Sequence, residues 1–293
     1  MYTRYGRSLL CTPAIDTSRY AACHGSGADI CQVDLEDSIP LPRKEEARRR
    51  AAAFFDAEQP VRCAVRINAV TEADGLLDLL ALREYPVPPS IVLVPKVESA
   101  RDLEIVESVL GHHCPELELL AIIETPRGLD RVDTIATGSL RLRALIFGSA
   151  DYASTLGIGL DWAPLAHARS RLVNSARAAG LEAIDSPCFD LADPTALRHE
   201  AELGRRLGFS GKIALHPKQV PVINEVFSPG AEELAHAARV VAAANRSGQG
   251  ITTVGGAMVG RPFFEASQRL LDQFGHLDSA DPADPTDSTV EAR

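Results

Sequence analysis

The chain of 293 residues has no apolar run approaching the roughly 18 residues that a membrane-spanning helix requires, which excludes a membrane partner of that kind. Its opening stretch, MYTRYGRSLL, has no apolar segment followed by a small-residue cleavage site, so a cytoplasmic protein is expected. Basic charge is in deficit. Thirty Lys and Arg stand against 40 Asp and Glu, for a net charge of −10, which argues against affinity built on neutralising a phosphate backbone, so no nucleic acid partner is expected. There is no C-x-x-C pair among Cys11, Cys23, Cys31, Cys63, Cys114 and Cys188, and several of these lie inside apolar strand-like runs. They read as reduced, small core residues, not as a disulfide framework or a zinc site. No G-x-G-x-x-G follows the first strand-like run, so the dinucleotide-binding fingerprint is missing.

What is present is a regular alternation. Short β-branched or apolar runs, RSLLCTP, ADICQVDLED, VRCAVRIN, SIVLVPKV, LELLAIIET, RALIFGSAD, LEAIDSP and GKIALHP, are separated in nearly every case by a helix-length amphipathic stretch. Eight such strands between Arg7 and Pro217 predict an α/β fold, a (β/α)8 TIM barrel occupying residues 1–230. Helix starts are marked at Asp16, Pro42, Ser99 and the Asp193-Pro194 pair, the last helix stopping at Gly208. Residues 231–275 form a short helical C-terminal extension, and residues 276–293, poor in apolar side chains and rich in Asp-Pro, are expected to be a disordered acidic tail.

In such a barrel the active site lies at the C-terminal ends of the strands. Seven of the eight runs end in ionisable or polar residues: Asp34, Glu36 and Asp37; Arg66 and Asn68; Lys96 and Glu98; Glu124; Asp151; Asp185; His216. Any one of these is as readily a solvated strand end as a functional group. A ring of carboxylates converging on one mouth, however, repels itself unless a cation or basic side chains sit among them. Glu124 and Asp151, on neighbouring strands, form a pair of hard oxygen ligands suited to Mg²⁺, which keeps several waters and takes only one or two protein carboxylates. Arg66 is the expected clamp for a substrate carboxylate, because its planar fork makes two parallel charge-assisted hydrogen bonds, and Lys96 is a second candidate. Gly148 and Ser149 bring small residues against the mouth, where backbone amides can approach a bound anion.

The motifs RSLLCTP, GADICQVDLEDSIP, VRIN, VPKVES, ETPRG, FGSADYASTLG, GFSGKIALHPKQV and VINEVFSP, in this order, resemble those of the HpcH/HpaI aldolase and citrate lyase β-subunit-like family, which includes the malyl-CoA and citramalyl-CoA lyases. The resemblance implies a barrel, frequently trimeric, that cleaves or forms a carbon–carbon bond in a hydroxyacyl thioester with Mg²⁺ as Lewis acid. It implies metal binding by Glu124 and Asp151, a carboxylate grip by Arg66, and an acidic pair, Glu36 and Asp37, behind the metal waters. The implied partners are an acyl-CoA or acyl-carrier-protein thioester and a small 2-oxo acid.

Three positions depart from the family pattern. VGGAMVGRP places Gly255 and Gly260 where the relatives carry two aspartates, the second of which reaches a neighbouring subunit's active site, and Ala150 stands where many relatives have Glu. The expected function is therefore a Mg²⁺-dependent lyase for a malyl, citramalyl or citryl thioester, with Asp37 or a metal-bound water replacing the missing acid. The alternatives are a CoA-independent pyruvate/aldehyde aldolase and a non-catalytic subunit of a carrier-protein complex. His216 is expected to play a structural part, and Arg7 and Arg19 are candidate contacts for thioester phosphates.

Overall fold

The computed structural model describes residues 5–55, 61–248 and 250–274. The eight apolar runs become eight strands: β1 (Ser8–Pro13), β2 (Ile30–Asp34), β3 (Arg62–Arg66), β4 (Ile91–Val94), β5 (Glu118–Ile123), β6 (Leu142–Phe147), β7 (Glu182–Asp185) and β8 (Gly211–Ala214). All neighbours pair in parallel, and β1 pairs with β8, so the sheet closes into a barrel. The sequence shows why closure is the stable outcome. Strands buried on both faces tend to be near-continuous apolar runs, and β4, read as IVLV, is buried at every position.

The pleat sorts the side chains into two layers. Leu9, Ile30, Leu93, Ile122, Ile146 and Ile213 point inward and fill the barrel. Their alternates, such as Leu10, Val33, Val65 and Leu145, point outward into a larger core shared with the helices. The strand-to-helix connections carry the signals expected of them. Ser99 and Asp102 form a capping box at the start of helix Ala100–Leu110, the Asp102 carboxylate accepting from the Ser99 amide at 3.0 Å. Asp193 caps Pro194–Leu207 by accepting from the amides of Thr195 and Ala196, and that helix stops at Gly208 in the left-handed region.

The barrel unit ends at Ser228, and a second compact unit begins at Pro229. The second unit contains the helices Ala231–Arg246 and Arg261–Phe274 read from the sequence. Between them lies an antiparallel hairpin, β9 (Thr252–Val254) and β10 (Ala257–Val259), absent from the sequence reading. Gly255 and Gly256 turn it with φ of 60° and 84°, as a two-residue hairpin loop requires. Val240, Val254, Val259 and Phe264 make this unit's own small core. The tail expected at 276–293 lies outside the described residues. Among the described residues, no helix is long and apolar enough to cross a membrane.

Candidate active site

On β2 the pleat turns Ile30, Gln32 and Asp34 inward. Asp34 closes the strand, fully buried, in register with Arg66 at the end of β3. Nε and Nη2 of Arg66 donate to the two Asp34 oxygens at 2.6 and 2.8 Å. Nη1 donates to Asp37 at 3.2 Å and stands 3.1 Å from Glu36 Oε2 in an ion pair that lacks hydrogen-bond alignment. Burial acts to raise the Asp34 carboxyl, but the guanidinium first, then Ser38 and the Glu36 amide, hold it down at about 2. The Arg66 guanidinium, disfavoured by burial, is held well above its ordinary value chiefly by Asp34.

The Glu36 turn is fixed from beneath. The buried Lys44 Nζ donates to the carbonyls of Leu35 and Glu36 at 2.8 and 2.7 Å, and to Asn68 Oδ1. Asn68 in turn donates to the Leu35 carbonyl and to Asp78, so it braces the turn and does not line the mouth. From above, Lys96 Nζ donates to Glu36 Oε1 at 2.9 Å. Lys96 adopts φ of 51°, in the left-handed region that a non-glycine residue enters only when its surroundings demand it. That conformation directs its backbone N–H to Glu124 Oε1 at 2.8 Å.

Glu124 follows β5 and is 3 % exposed. Burial, then the charges of Glu36 and Asp151, push its carboxyl up to about 8. Burial likewise pushes Glu36 up to about 7, against the lowering influence of Arg66. The second Glu124 oxygen lies beside Gly148, where a Cβ would stand 2.4 Å from it. Gly148 ends the turn after β6 and caps helix Ser149–Leu156, so Asp151 sits in the first turn of that helix, past the strand's end. Ser149 is buried beside Gly148 and lines the same cavity.

Arg66, Asp34, Asp37, Glu124, Gly148, Ser149 and Asp151 all border one cavity of about 330 Å³ at the C-terminal mouth. Its floor is Leu93, Ile122, Ile146 and Ile213, with Cys11 and Gln32 on the β1–β2 side. Glu36 and Lys96 stand behind this lining and reach it through Arg66 and Glu124; Lys96 borders a neighbouring cavity of about 330 Å³ with Glu98, Thr125 and Arg131. Among the described residues, no three His, Cys, Asp or Glu side chains form a complete protein cage for a metal.

The other strand ends do not join the site. Asp185 is wholly buried between Arg169 (2.9 Å) and Lys212 (3.1 Å), inside the barrel wall. His216 caps the turn Pro217–Gln219, its Nδ1 accepting from the Lys218 amide, which is a structural part. Arg7 precedes β1, so it lies at the opposite end of the barrel from the mouth, forked onto Asp29. Arg19 pairs with Asp16.

The sequence reading placed Asp34 at a strand end but missed it as the anchor of Arg66. The pleat held the signal, since Ile30, Gln32 and Asp34 must share a face and Ile30 must be inside. Lys44 gave none, because two of its partners are backbone carbonyls and the third, Asn68 Oδ1, reaches it only once β3 is in place.

The model of the HpcH/HpaI aldolase/citrate lyase family matches residues 7–217. The chain is 31% identical over 283 residues to the citrate lyase subunit beta of Escherichia coli (strain K12), covering 92% of this chain and 93% of that protein. It is 34% identical over 260 residues to the (3S)-malyl-CoA thioesterase of Cereibacter sphaeroides (strain KD131 / KCTC 12085), covering 86% and 89%. Among solved structures, the CitE protein of Mycobacterium tuberculosis in complex with magnesium, acetoacetate and coenzyme A is similar with a TM-score of 0.78 at 31% identity, covering 92% of this chain and 98% of that one.

Proposed function

Because the chain belongs to the HpcH/HpaI aldolase/citrate lyase family, we propose that its mouth catalyses magnesium-dependent cleavage or formation of the carbon–carbon bond in a hydroxyacyl thioester of the malyl-, citramalyl- or citryl-CoA kind. The observation that carries this reading is Glu124. Its carboxylate is buried among Glu36 and Asp151, raised to about 8 by burial and their charges, and shaped around a glycine on the cavity side. Such a carboxylate pair suits a hard cation that takes its remaining ligands from water and substrate. Glu124 and Asp151 would hold the ion, which as a Lewis acid polarises a substrate oxygen.

The chain's own residues supply the remaining work. The side-on fork of Arg66 is spent on Asp34, so its terminal edge, now shared with Asp37 and Glu36, is the face offered to the carboxylate of the 2-oxo acid. Glu36 and Lys96 fix the positions of Arg66 and Glu124. The free amides at the start of helix Ser149–Leu156 point positive dipole ends at the developing enolate. Asp37 borders the cavity and is the group assigned to take the substrate hydroxyl proton and return it to the thioester α-carbon, since this chain has glycine, not aspartate, at position 260. The C–C electron pair passes to the thioester enolate, and a ketone or aldehyde remains on the 2-oxo acid.

The same proposal includes a homotrimer and a cytoplasmic location. The six unbonded cysteines agree with a reducing compartment. The test is condensation followed by mass spectrometry: enzyme and Mg²⁺ with acetyl-CoA or propionyl-CoA and glyoxylate, pyruvate or oxaloacetate, with an EDTA control. A metal-dependent hydroxyacyl-CoA adduct supports the reading. Binding of Mg²⁺ and 2-oxo acid with no adduct moves it to a carrier-protein thioester or a CoA-free aldolase. No binding at all moves it to the non-catalytic subunit that Gly255 and Gly260 suggest.

A further inference from the structure

Four buried side-chain atoms among the described residues lack a hydrogen-bond partner, and two of them, Gln32 Oε1 and Ser38 Oγ, belong to residues bordering the cavity. Gln32 is the deeper. It occupies the inward layer of β2 below Asp34, 2 % exposed, in register with Cys11 on one side and Ala64 on the other. Its amide nitrogen reaches only the Cys11 sulfur, at 3.5 Å, and its oxygen reaches nothing. The rest of the floor, Leu93, Ile122, Ile146 and Ile213, is aliphatic. A buried amide oxygen left without a donor is destabilising, and an aliphatic residue of similar size would avoid that cost.

We infer that Gln32 determines substrate choice by hydrogen bonding a polar substituent on the third carbon of the 2-oxo acid. This deepens the lyase reading and rests on it. The direction of the substrate follows from size. A closed barrel with a cavity of about 330 Å³ has no room for the carrier of a thioester, which must leave by the mouth. The end without a carrier, the 2-oxo acid, is the end that reaches the floor. Anchored by its carboxylate near Arg66, it directs the groups beyond its carbonyl toward the inward layer that holds Gln32. An amide turned either way about its last bond presents a donor or an acceptor, and a hydroxyl answers both. A methyl group answers neither and leaves the amide unpaired.

The test uses two acids of nearly equal size, 3-hydroxypyruvate and 2-oxobutanoate, with the full-length protein and Mg²⁺. Condensation with acetyl-CoA gives kcat/KM for each, and calorimetry gives each acid's binding without the thioester. The hydroxylated acid is expected to lead by about ten- to a hundredfold in both measurements, the range that one unpaired buried amide implies. In Gln32→Leu the preference should invert, with 2-oxobutanoate gaining, and Gln32→Asn should fall between. Equal values in the unsubstituted protein, or a ratio that Gln32→Leu leaves unchanged, overturn the inference. Preferential, Gln32-dependent binding of the hydroxylated acid without condensation sustains the inference while overturning the reading of a CoA-thioester lyase. Condensation without preference does the reverse.

Discussion

Gly148 and Glu124 are in such close contact that a Cβ on the glycine would stand 2.4 Å from the glutamate's Cβ and 2.4 Å from its Oε2. The two residues come from the turns after β6 and β5, neighbouring strands of the barrel, and the missing side chain of one is the space in which the other's carboxylate rests.

Gly148→Ala should therefore displace the Glu124 carboxylate without removing it. Metal-dependent turnover is expected to fall roughly 10²-fold, the size of loss that a misplacement of about 1 Å brings, with about 1–3 kcal/mol lost to overpacking. Titration of the variant with Mg²⁺, followed by thermal unfolding, checks this. An unaltered Mg²⁺ response would show that Glu124 holds no ion.

Glu124→Gln tests the same carboxylate by the opposite route. At pH 8 without divalent cations the variant should melt higher than the parent, because it removes a buried charge crowded by Glu36 and Asp151. With Mg²⁺ at a hundred times its Kd the parent should gain about 2.7 kcal/mol, and the variant should gain almost none. The same loss of response is expected of Asp151→Asn.

The pH dependence follows from two opposed groups of carboxylates. In the fold burial and neighbouring carboxylates push Glu36 up to about 7 and Glu124 up to about 8. In the unfolded chain both titrate near 4.3. Their contribution is fully present below about pH 4 and is lost as pH rises through 7 to 8, so the metal-free protein should gain stability on acidification from pH 8 to pH 5. Asp34, at about 2 in the fold, has the reverse sign, and its contribution is lost as pH falls from about 4 toward 2. Melting curves across pH 2.5 to 8.5 should show a maximum between these limits, on the order of pH 5. Saturating Mg²⁺ should flatten the alkaline side. A monotonic rise from pH 5 to 8 in EDTA would contradict the crowding of the carboxylates.

Arg66→Lys keeps the charge and loses the planar fork that Asp34 holds. The KM for the 2-oxo acid should rise roughly ten- to a hundredfold, and that for the thioester should change little. Equal effects on both would remove Arg66 from the carboxylate site.

The barrel was readable because its eight strands are locally unambiguous. Each is short, mostly apolar and separated from the next by a helix-length stretch, so the count, with no dinucleotide-binding fingerprint after the first strand, selected a closed sheet. Glu124, Asp151 and Arg66 were readable for a related reason, since barrel architecture assigns strand ends to one mouth. The partners of these residues were not. Asp185 looked like a mouth carboxylate until closure of β7 against β8 brought Lys212 to it, a pairing with no trace in local sequence. Arg7 was misplaced because a residue before a strand and one after it look alike as charges while standing at opposite ends of the barrel. The β9–β10 hairpin, by contrast, had a local signal in Gly255-Gly256 between ITTV and AMV that was passed over in favour of the flanking helices.

Closure itself has a consequence for how the protein is made. Every residue proposed for the chemistry, from Glu36 to Asp151, lies before β7, while β7 and β8 join the open edges of β6 and β1. A chain growing from its N-terminus therefore holds all its mutually repelling carboxylates before it possesses the two strands that lock them in place. The whole stretch from Glu36 to Asp151 waits on Lys212 and its strand before the site can close.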